Sequence, residues 1–376
     1  MDRFGAYVDL DAIRGNVDTL SRHAGDASVM AVVKADGYGH GLLPSARAAL
    51  DGGAGWLGVA FIEEALALRA AGLSAPVLAW LIAPGEDLGP ALAADIDISV
   101  SATWALDAVA AAAASTGRPA RVHLKVDTGL GRAGATEADW PQLTESAAKL
   151  EAEGSIAVVG VWSHLAYADA PGHPTIARQR SAFEEGLAVA ARAGLRPQVR
   201  HLANSAATLA LPDTHYDLVR PGVAVYGLSP GPDVGAARGL GLRPAMSLRA
   251  RIALVKEVRA GQGVSYGHRY TTQTATTLAL IPLGYADGIP RQATNVGPVQ
   301  IGGRRFTVSG TVCMDQFVVD VADAPVVAGD EVVLFGAGDD GEPTADDWAA
   351  AVGTINYEIV TRIGARVPRF YTGERA

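Results

Sequence analysis

The residues best suited to chemistry begin at Lys34, which follows the apolar run Met30-Ala31-Val32-Val33 and precedes a glycine-rich turn through Gly37, Tyr38, Gly39, His40 and Gly41. A lysine at the mouth of a buried strand loses hydration, which disfavours its charged form and leaves the amine nucleophilic near neutral pH. A Schiff-base lysine needs that property. The same position would also suit a lysine that carries its charge past a strand end into water. Composition favours the first reading: the lysines are Lys34, Lys125, Lys149 and Lys256 alone, so arginine supplies nearly all the basic surface.

Further polar residues fall near the ends of other β-prone runs. Lys125 lies late in Ala120 to Asp127, His164 late in Ala157 to Leu165, and Asn204 and Ser205 close Val199 to Asn204. Arg220 sits in Leu218 to Tyr226, just before Pro221-Gly222. Each has two readings. His164 is either a bonded core histidine or an acid–base group, and Arg220 pairs with a carboxylate or with a ligand. Ser205 caps the helix that starts there, or helps its N-terminus hold a phosphate. Asp127 and Arg132, in KVDTGLGRAG, could form a local ion pair around a turn, which is the structural alternative for this pair.

Several chemistries are excluded. The eight histidines form no HxH or HExxH pattern and Cys313 is the single cysteine, so neither a metal site nor an intrachain disulfide is expected. A P-loop is absent. Gly227 to Gly231 matches GxSxG, but a proline follows Ser229, where a nucleophile elbow needs a strand-to-helix turn. Gly53 to Gly58 matches GxGxxG but leads into a strand, not out of one.

The elements that must position these groups are short apolar runs alternating with helical patterns. The candidate strands are Val29 to Lys34, Trp56 to Phe61, Pro76 to Leu81, Ile96 to Ser101, and the four runs named above. Ile62 to Gly72 reads as a helix ending on a capping glycine, Thr103 as the cap of a helix to Gly117, and Pro174 as the start of one reaching Gly194. Eight strand-then-helix units argue for an α/β fold of the (β/α)8 TIM-barrel type, whose C-terminal mouth gathers catalytic groups from several strands. Lys34, Lys125, His164, Asn204, Ser205 and Arg220 then share one rim. Leu228 to Pro244, rich in glycine and proline, reads as a link, and β-rich runs broken by turns follow it. The chain thus divides into a barrel over residues 1–236, with its first residues available to pair elsewhere, and a C-terminal mainly β domain over residues 237–376.

A net charge of −9 with no basic run gives no footprint for nucleic acid. The most apolar stretch, Ala108 to Ala114, is far too short to span a bilayer, and the N-terminus lacks the apolar core of a secretory signal. These features, with the single thiol, fit a cytoplasmic protein without a membrane role.

The Lys34 stretch, LKVDTGLGRAG, SHLAYAD, HLANSAA, VRPGVAVYG, VSYGHRY, GYADGIPR, VCMDQ and INYEI occur in this order. With them the chain resembles the alanine racemase family nearly end to end. The resemblance implies an isomerase that interconverts L-alanine and D-alanine, supplying peptidoglycan precursors in a bacterium. It implies that Lys34 binds pyridoxal 5′-phosphate as an internal aldimine and serves as one of two bases, with Tyr266 as the other on the opposite face. A phenol ordinarily titrates near 10, and by resemblance His164 shares the proton of Tyr266 and bonds in turn to Arg220. Arg220 would face the pyridine nitrogen. Tyr38, Ser205, Tyr357 and the backbone of Gly222 would hold the phosphate, with Asn204 beside them. Arg132 would contact the cofactor oxygen and the substrate carboxylate, joined by the Met314 backbone and neighboured by Asp315. Lys125, carbamylated in many relatives, would hold Arg132, while Asp169, Tyr285 and Arg291 would line the access route. Thr311 stands where many members carry arginine. Because Tyr266, Tyr285 and Met314 come from the second subunit in the family, a head-to-tail homodimer with shared sites is expected. Against this stand a serine or broader racemase, a decarboxylase of the same architecture, and a non-catalytic cofactor carrier. The β domain from Met246 onward argues against the carrier.

Overall fold

Strands buried on both faces need apolar side chains in both directions, which is why parallel strands appear as continuous hydrophobic runs. The computed structural model, which describes residues 3–373, forms nine strands in its first two-thirds, the last eight of them a parallel set. They are β1 (Phe4–Asp9), β2 (Ser28–Val32), β3 (Trp56–Val59), β4 (Val77–Ala79), β5 (Asp97–Val100), β6 (Ala120–Lys125), β7 (Ile156–Trp162), β8 (Val199–His201) and β9 (Leu218–Val219). From β2 to β8 each strand pairs in parallel with the next, and β9 pairs with β2. Two further bonds, Asp217 N–H to Arg200 O at 3.1 Å and Arg220 N–H to Ala203 O at 2.9 Å, draw β9 against the end of β8. The eight-stranded parallel barrel is therefore nearly closed, and helices such as Thr103–Thr116, Trp140–Ala152 and Pro174–Arg192 surround it. The last two pack closely enough for Trp140 Nε1–H to donate to Gly186 O at 2.8 Å.

The opening strand leaves the barrel. β1 pairs antiparallel with β10 (Met246–Arg251) and parallel with β19 (Arg369–Thr372), which joins the first and last described strands in one sheet. Between them run β11 (Leu254–Val258), β12 (Gly263–Val264), β13 (Tyr270–Thr271), β14 (Thr276–Ile281), β15 (Pro298–Ile301), β16 (Arg304–Thr307), β17 (Phe317–Ala322) and β18 (Glu331–Phe335). A six-stranded sheet in the order β16-β15-β18-β10-β1-β19 and a three-stranded sheet β11-β14-β17 make this half mainly β. Helices Ala345–Val352 and Asn356–Thr361 follow β18, and the second carries Tyr357 back to the barrel mouth.

Three local expectations are corrected. The run from Leu218 to Tyr226 is a strand only as far as Val219, because Pro221 has no N–H to give the sheet and Val223–Tyr226 winds into a 3-10 turn. The first barrel strand stops at Val32, so Lys34 lies in the turn beyond it. Ala102, not Thr103, occupies the cap of the helix over Thr103–Thr116.

Candidate active site

Four consecutive residues after Lys34 adopt the left-handed conformation: Ala35, Asp36, Gly37 and Tyr38 have φ of 54°, 54°, 60° and 52°. For residues other than glycine this costs about 1–2 kcal/mol each, so the surroundings must hold it. Glu64 Oε1 accepts the Ala35 N–H at 2.6 Å, and Asp36 Oδ1 accepts the Leu42 N–H at 2.8 Å. His40, wholly buried, keeps Nδ1 at 3.1 and 3.0 Å from the carbonyls of Gly37 and Tyr38. Burial depresses His40 to about 4, so it stays neutral and donates through Nδ1–H. The held turn aims both Lys34 and Tyr38 into one cavity of about 680 Å³ at the C-terminal mouth of the barrel.

Burial and the nearby Arg132 guanidinium push the Lys34 amine down, against a smaller opposing pull from Glu64. Its Nζ stands 5.7 Å from the centroid of the Trp80 ring. Lys125, on β6, is lowered to about 7 by burial and then by Arg220 and Arg132. Arg220 is buried; its Nη2 donates to Ser163 O at 2.7 Å and Leu202 O at 3.2 Å, and approaches His164 Nδ1 at 3.4 Å. Burial brings Arg220 to about 9, which leaves it cationic at neutral pH. Burial, followed by Arg220, depresses His164 far below the usual imidazole range. A guanidinium only donates, so the neutral His164 accepts at Nδ1 and has Nε2–H free to donate outward.

The loops after β8 and β9 form a second wall. Ser205 Oγ accepts the backbone N–H of Gly222 at 2.8 Å and of Ala224 at 3.3 Å. Ser205 is therefore not the helix cap; Asn204 is, with its Oδ1 accepting the Ala207 N–H at 3.1 Å. Tyr38 stacks on Tyr226 at 5.0 Å and faces Tyr357 at 6.4 Å between centroids. Burial raises both the Tyr38 and Tyr357 phenols, so each enters the cavity as a donor. Gly222 has to be glycine: a Cβ there would stand 2.3 Å from the Tyr38 hydroxyl oxygen.

Other residues from the sequence reading lie elsewhere. Asp127 accepts backbone N–H groups of Gly129, Leu130 and Gly131 and makes no ion pair with Arg132, which corrects that expectation. The turn it builds leaves Arg132 lining the cavity. Asp169 packs on Gly231 and bears electrostatically on Tyr357. Tyr266 opens a 3-10 turn on the β domain and is 75% exposed, its carbonyl held by Thr311 Oγ1–H at 2.7 Å. Met314 and Tyr285 are exposed too, and Asp315 binds Arg366 at 2.8 Å. Neither these four nor Arg291 lines the cavity of their own chain, and no His164–Tyr266 bond forms within it. Trp80, Trp162 and Glu64 were not singled out from sequence. The two tryptophans sit at strand ends, where the rim argument could have found them.

Comparison with known proteins assigns this barrel and β domain to the amino-acid racemases, a class of isomerase. Two domain descriptions match: "Alanine racemase, N-terminal domain" over residues 8–230 and "Alanine racemase, C-terminal domain" over residues 245–371. The chain belongs to the alanine racemase family. It is 68% identical over 366 residues to an alanine racemase of Frankia casuarinae, covering 97% of this chain and 95% of that one. It is 63% identical to one of Salinispora tropica, covering 98% of each. Among solved structures, alanine racemase from D-cycloserine-producing Streptomyces lavendulae superposes with a TM-score of 0.99 at 56% identity, over 100% of this chain and 98% of that one. The Bacillus anthracis enzyme with bound L-Ala-P gives 0.90 at 36% identity, over 99% and 95%.

Proposed function

We propose that this member of the alanine racemase family interconverts L- and D-alanine by a two-base mechanism, with pyridoxal 5′-phosphate held at the barrel mouth on Lys34. The donor set carries the reading. Lys34, Lys125, Arg132 and Arg220 bring amines and guanidiniums, Tyr38, Tyr357 and Ser205 bring hydroxyls, and among the described residues no carboxylate lines the cavity. Such a cavity suits an anionic group bearing an aldehyde. When bound, the cofactor supplies a carbonyl that condenses with amines and a ring that draws electrons from the Cα–H bond.

The chain's own groups then divide the work. Tyr38, Tyr357 and the Ser205 hydroxyl would bind the phosphate, joined by the Gly222 N–H once it turns from Ser205 Oγ, with Asn204 fixing the helix behind Ser205. Arg220 would face the cofactor ring as a hydrogen-bond donor that keeps its own proton, which would temper the ring's pull on electrons. Arg132 and the Met314 backbone hold the substrate carboxylate, with Asp315 adjacent. Lys34 moves a proton at one face of Cα and Tyr266 at the other, since inversion needs two groups on opposite sides. His164, with Nε2–H outward, supports the Tyr266 oxygen.

Tyr266, Met314 and Tyr285 are exposed and do not line the cavity of their own chain, which favours a head-to-tail homodimer in which a second copy brings them. Asp169, Tyr285 and Arg291 then border the access route. Lys125, lowered to about 7 and so about half deprotonated at neutral pH, offers the free amine that carbamylation requires, and a carbamate there would hold Arg132. D-Alanine for peptidoglycan, made in the cytoplasm, is the role this activity serves; no helix among the described residues is long and apolar enough to cross a membrane. Purified protein should show a visible cofactor absorbance and convert either pure enantiomer of alanine to a racemate in chiral analysis. Retention of the starting enantiomer by protein with bound cofactor would refute the proposal.

A further inference from the structure

Beneath the cavity a line of hydrogen bonds runs the length of the barrel interior. It starts at the first residue of β5, where Asp97 is bound by Arg121 of β6 through Nε at 2.6 Å and Nη2 at 3.2 Å. Asp97 Oδ2 lies 3.1 Å from His123 Nε2, His123 Nδ1 lies 2.8 Å from His201 Nε2, and His201 Nδ1 lies 3.2 Å from Arg220 Nη1. Asp97 is 1% exposed and both histidines 0%. The barrel is shaped to hold them. A Cβ on Gly160 would stand 2.3 Å from His123 Nδ1, and the Trp162 ring stacks on His201 at 5.5 Å and 3°.

The two ends fix the polarity of the whole line. Arg220 can only donate and a carboxylate can only accept. With neutral imidazoles between them, one arrangement satisfies every atom. Arg220 Nη1–H donates to His201 Nδ1, His201 Nε2–H to His123 Nδ1, and His123 Nε2–H to Asp97 Oδ2. Burial holds both histidines below their ordinary values, in keeping with neutral rings. Asp97 is raised by burial, but its bonds to His123 and Arg121 prevail and keep it below the usual carboxylate range.

We propose that Asp97 and His123 are positioning residues for the racemase reaction: they set the tautomer of His201, so that its Nδ1 lone pair holds the Arg220 guanidinium in place against the cofactor ring. The inference rests on the proposed function, in which Arg220 meets that ring, and it extends the site to the opposite end of the barrel. Asn at position 97 should reverse the line. Its oxygen would remain on Arg121 Nε–H, the shorter of the two Arg121 bonds, its amide nitrogen would take the place of Oδ2, give up the longer bond from Nη2 and donate towards His123 Nε2, and both imidazoles would switch to Nδ1–H. His201 would then present a donor to Arg220, which has nothing to accept with.

The test is nitrogen NMR of histidine-labelled holoenzyme, with signals assigned by their loss in His123→Gln and His201→Gln, beside cofactor absorbance and steady-state kinetics. Wild type should show His123 and His201 neutral with the proton on Nε2. Asp97→Asn should move both protons to Nδ1 and shift the cofactor band. It should lower kcat by roughly tenfold to a hundredfold, as loss of an outer orienting partner typically does, with less than about a threefold change in KM. Arg121→Gln, which leaves the carboxylate on His123, should keep the wild-type tautomers and band. Wild-type His201 protonated on Nδ1, an unshifted band in Asp97→Asn, or an equal shift in Arg121→Gln would each overturn the assignment. Should Asp97→Asn fail to fold, the wild-type tautomers decide alone. Wild-type protein without a cofactor band would instead overturn the proposed function, while its tautomers would still be measurable.

Discussion

Lys125 Nζ stands 4.1 Å from the centroid of the Trp162 ring, whose face also carries the Arg220 guanidinium at 4.7 Å. Two potential cations on one indole cannot both keep their charge cheaply. Burial lowers Lys125 most, and Arg220, which holds its proton, lowers it further, to about 7.

Stability follows from that shift with a definite sign. The folded chain releases the Lys125 proton near 7 and the unfolded chain near 10.5, so between these values the unfolded state binds more protons and stability rises with pH. Below about 7 the buried charge exacts its full cost. Lys125→Met should therefore raise Tm at about pH 6 in bicarbonate-free buffer, with the gain shrinking towards about pH 10. A gain independent of pH, in thermal melts of both proteins, would contradict the assignment.

Gly222 and Tyr38 make a sharper structural prediction. A methyl group on residue 222 would collide with the Tyr38 oxygen at 2.3 Å and force the ring off Tyr226. Gly222→Ala should cost about 1–3 kcal/mol of stability, the usual cost of overpacking. It should also weaken cofactor retention by at least about tenfold, or 1.4 kcal/mol. Equilibrium dialysis that finds unchanged affinity would show that Tyr38 does not hold the phosphate.

The shared-site proposal is tested by mixing. Lys34→Ala and Tyr266→Phe proteins should each be inactive, and subunit exchange between them should restore part of the activity, because one of the two hybrid sites has both bases. Proven exchange without recovery would place both bases in one chain.

Much of the barrel was legible because its strands are buried on both faces, so β2 through β7 stand out as apolar runs with helices between them. Lys34, Lys125, His164, Ser205 and Arg220 were legible for a related reason: a polar side chain closing such a run has few places to go but the mouth. The details that escaped are set by tertiary partners. Nothing local distinguishes Asn204 from Ser205 as the cap until Gly222 is seen to claim the Ser205 oxygen. The left-handed turn at Ala35 and Asp36 depends on Glu64, 29 residues beyond Ala35. Asp127 satisfied its own turn instead of pairing with Arg132, because three backbone N–H groups lie nearer. His123 and His201, 78 residues apart, meet only through the barrel's register.

The most direct measurement is borohydride reduction of the holoenzyme followed by peptide mapping. With four lysines in the chain, the answer is unambiguous. The cofactor label should fall on the peptide carrying Lys34, and reduction should abolish racemisation. Label on Lys125, Lys149 or Lys256, or full activity after stoichiometric labelling of Lys34, would contradict the account.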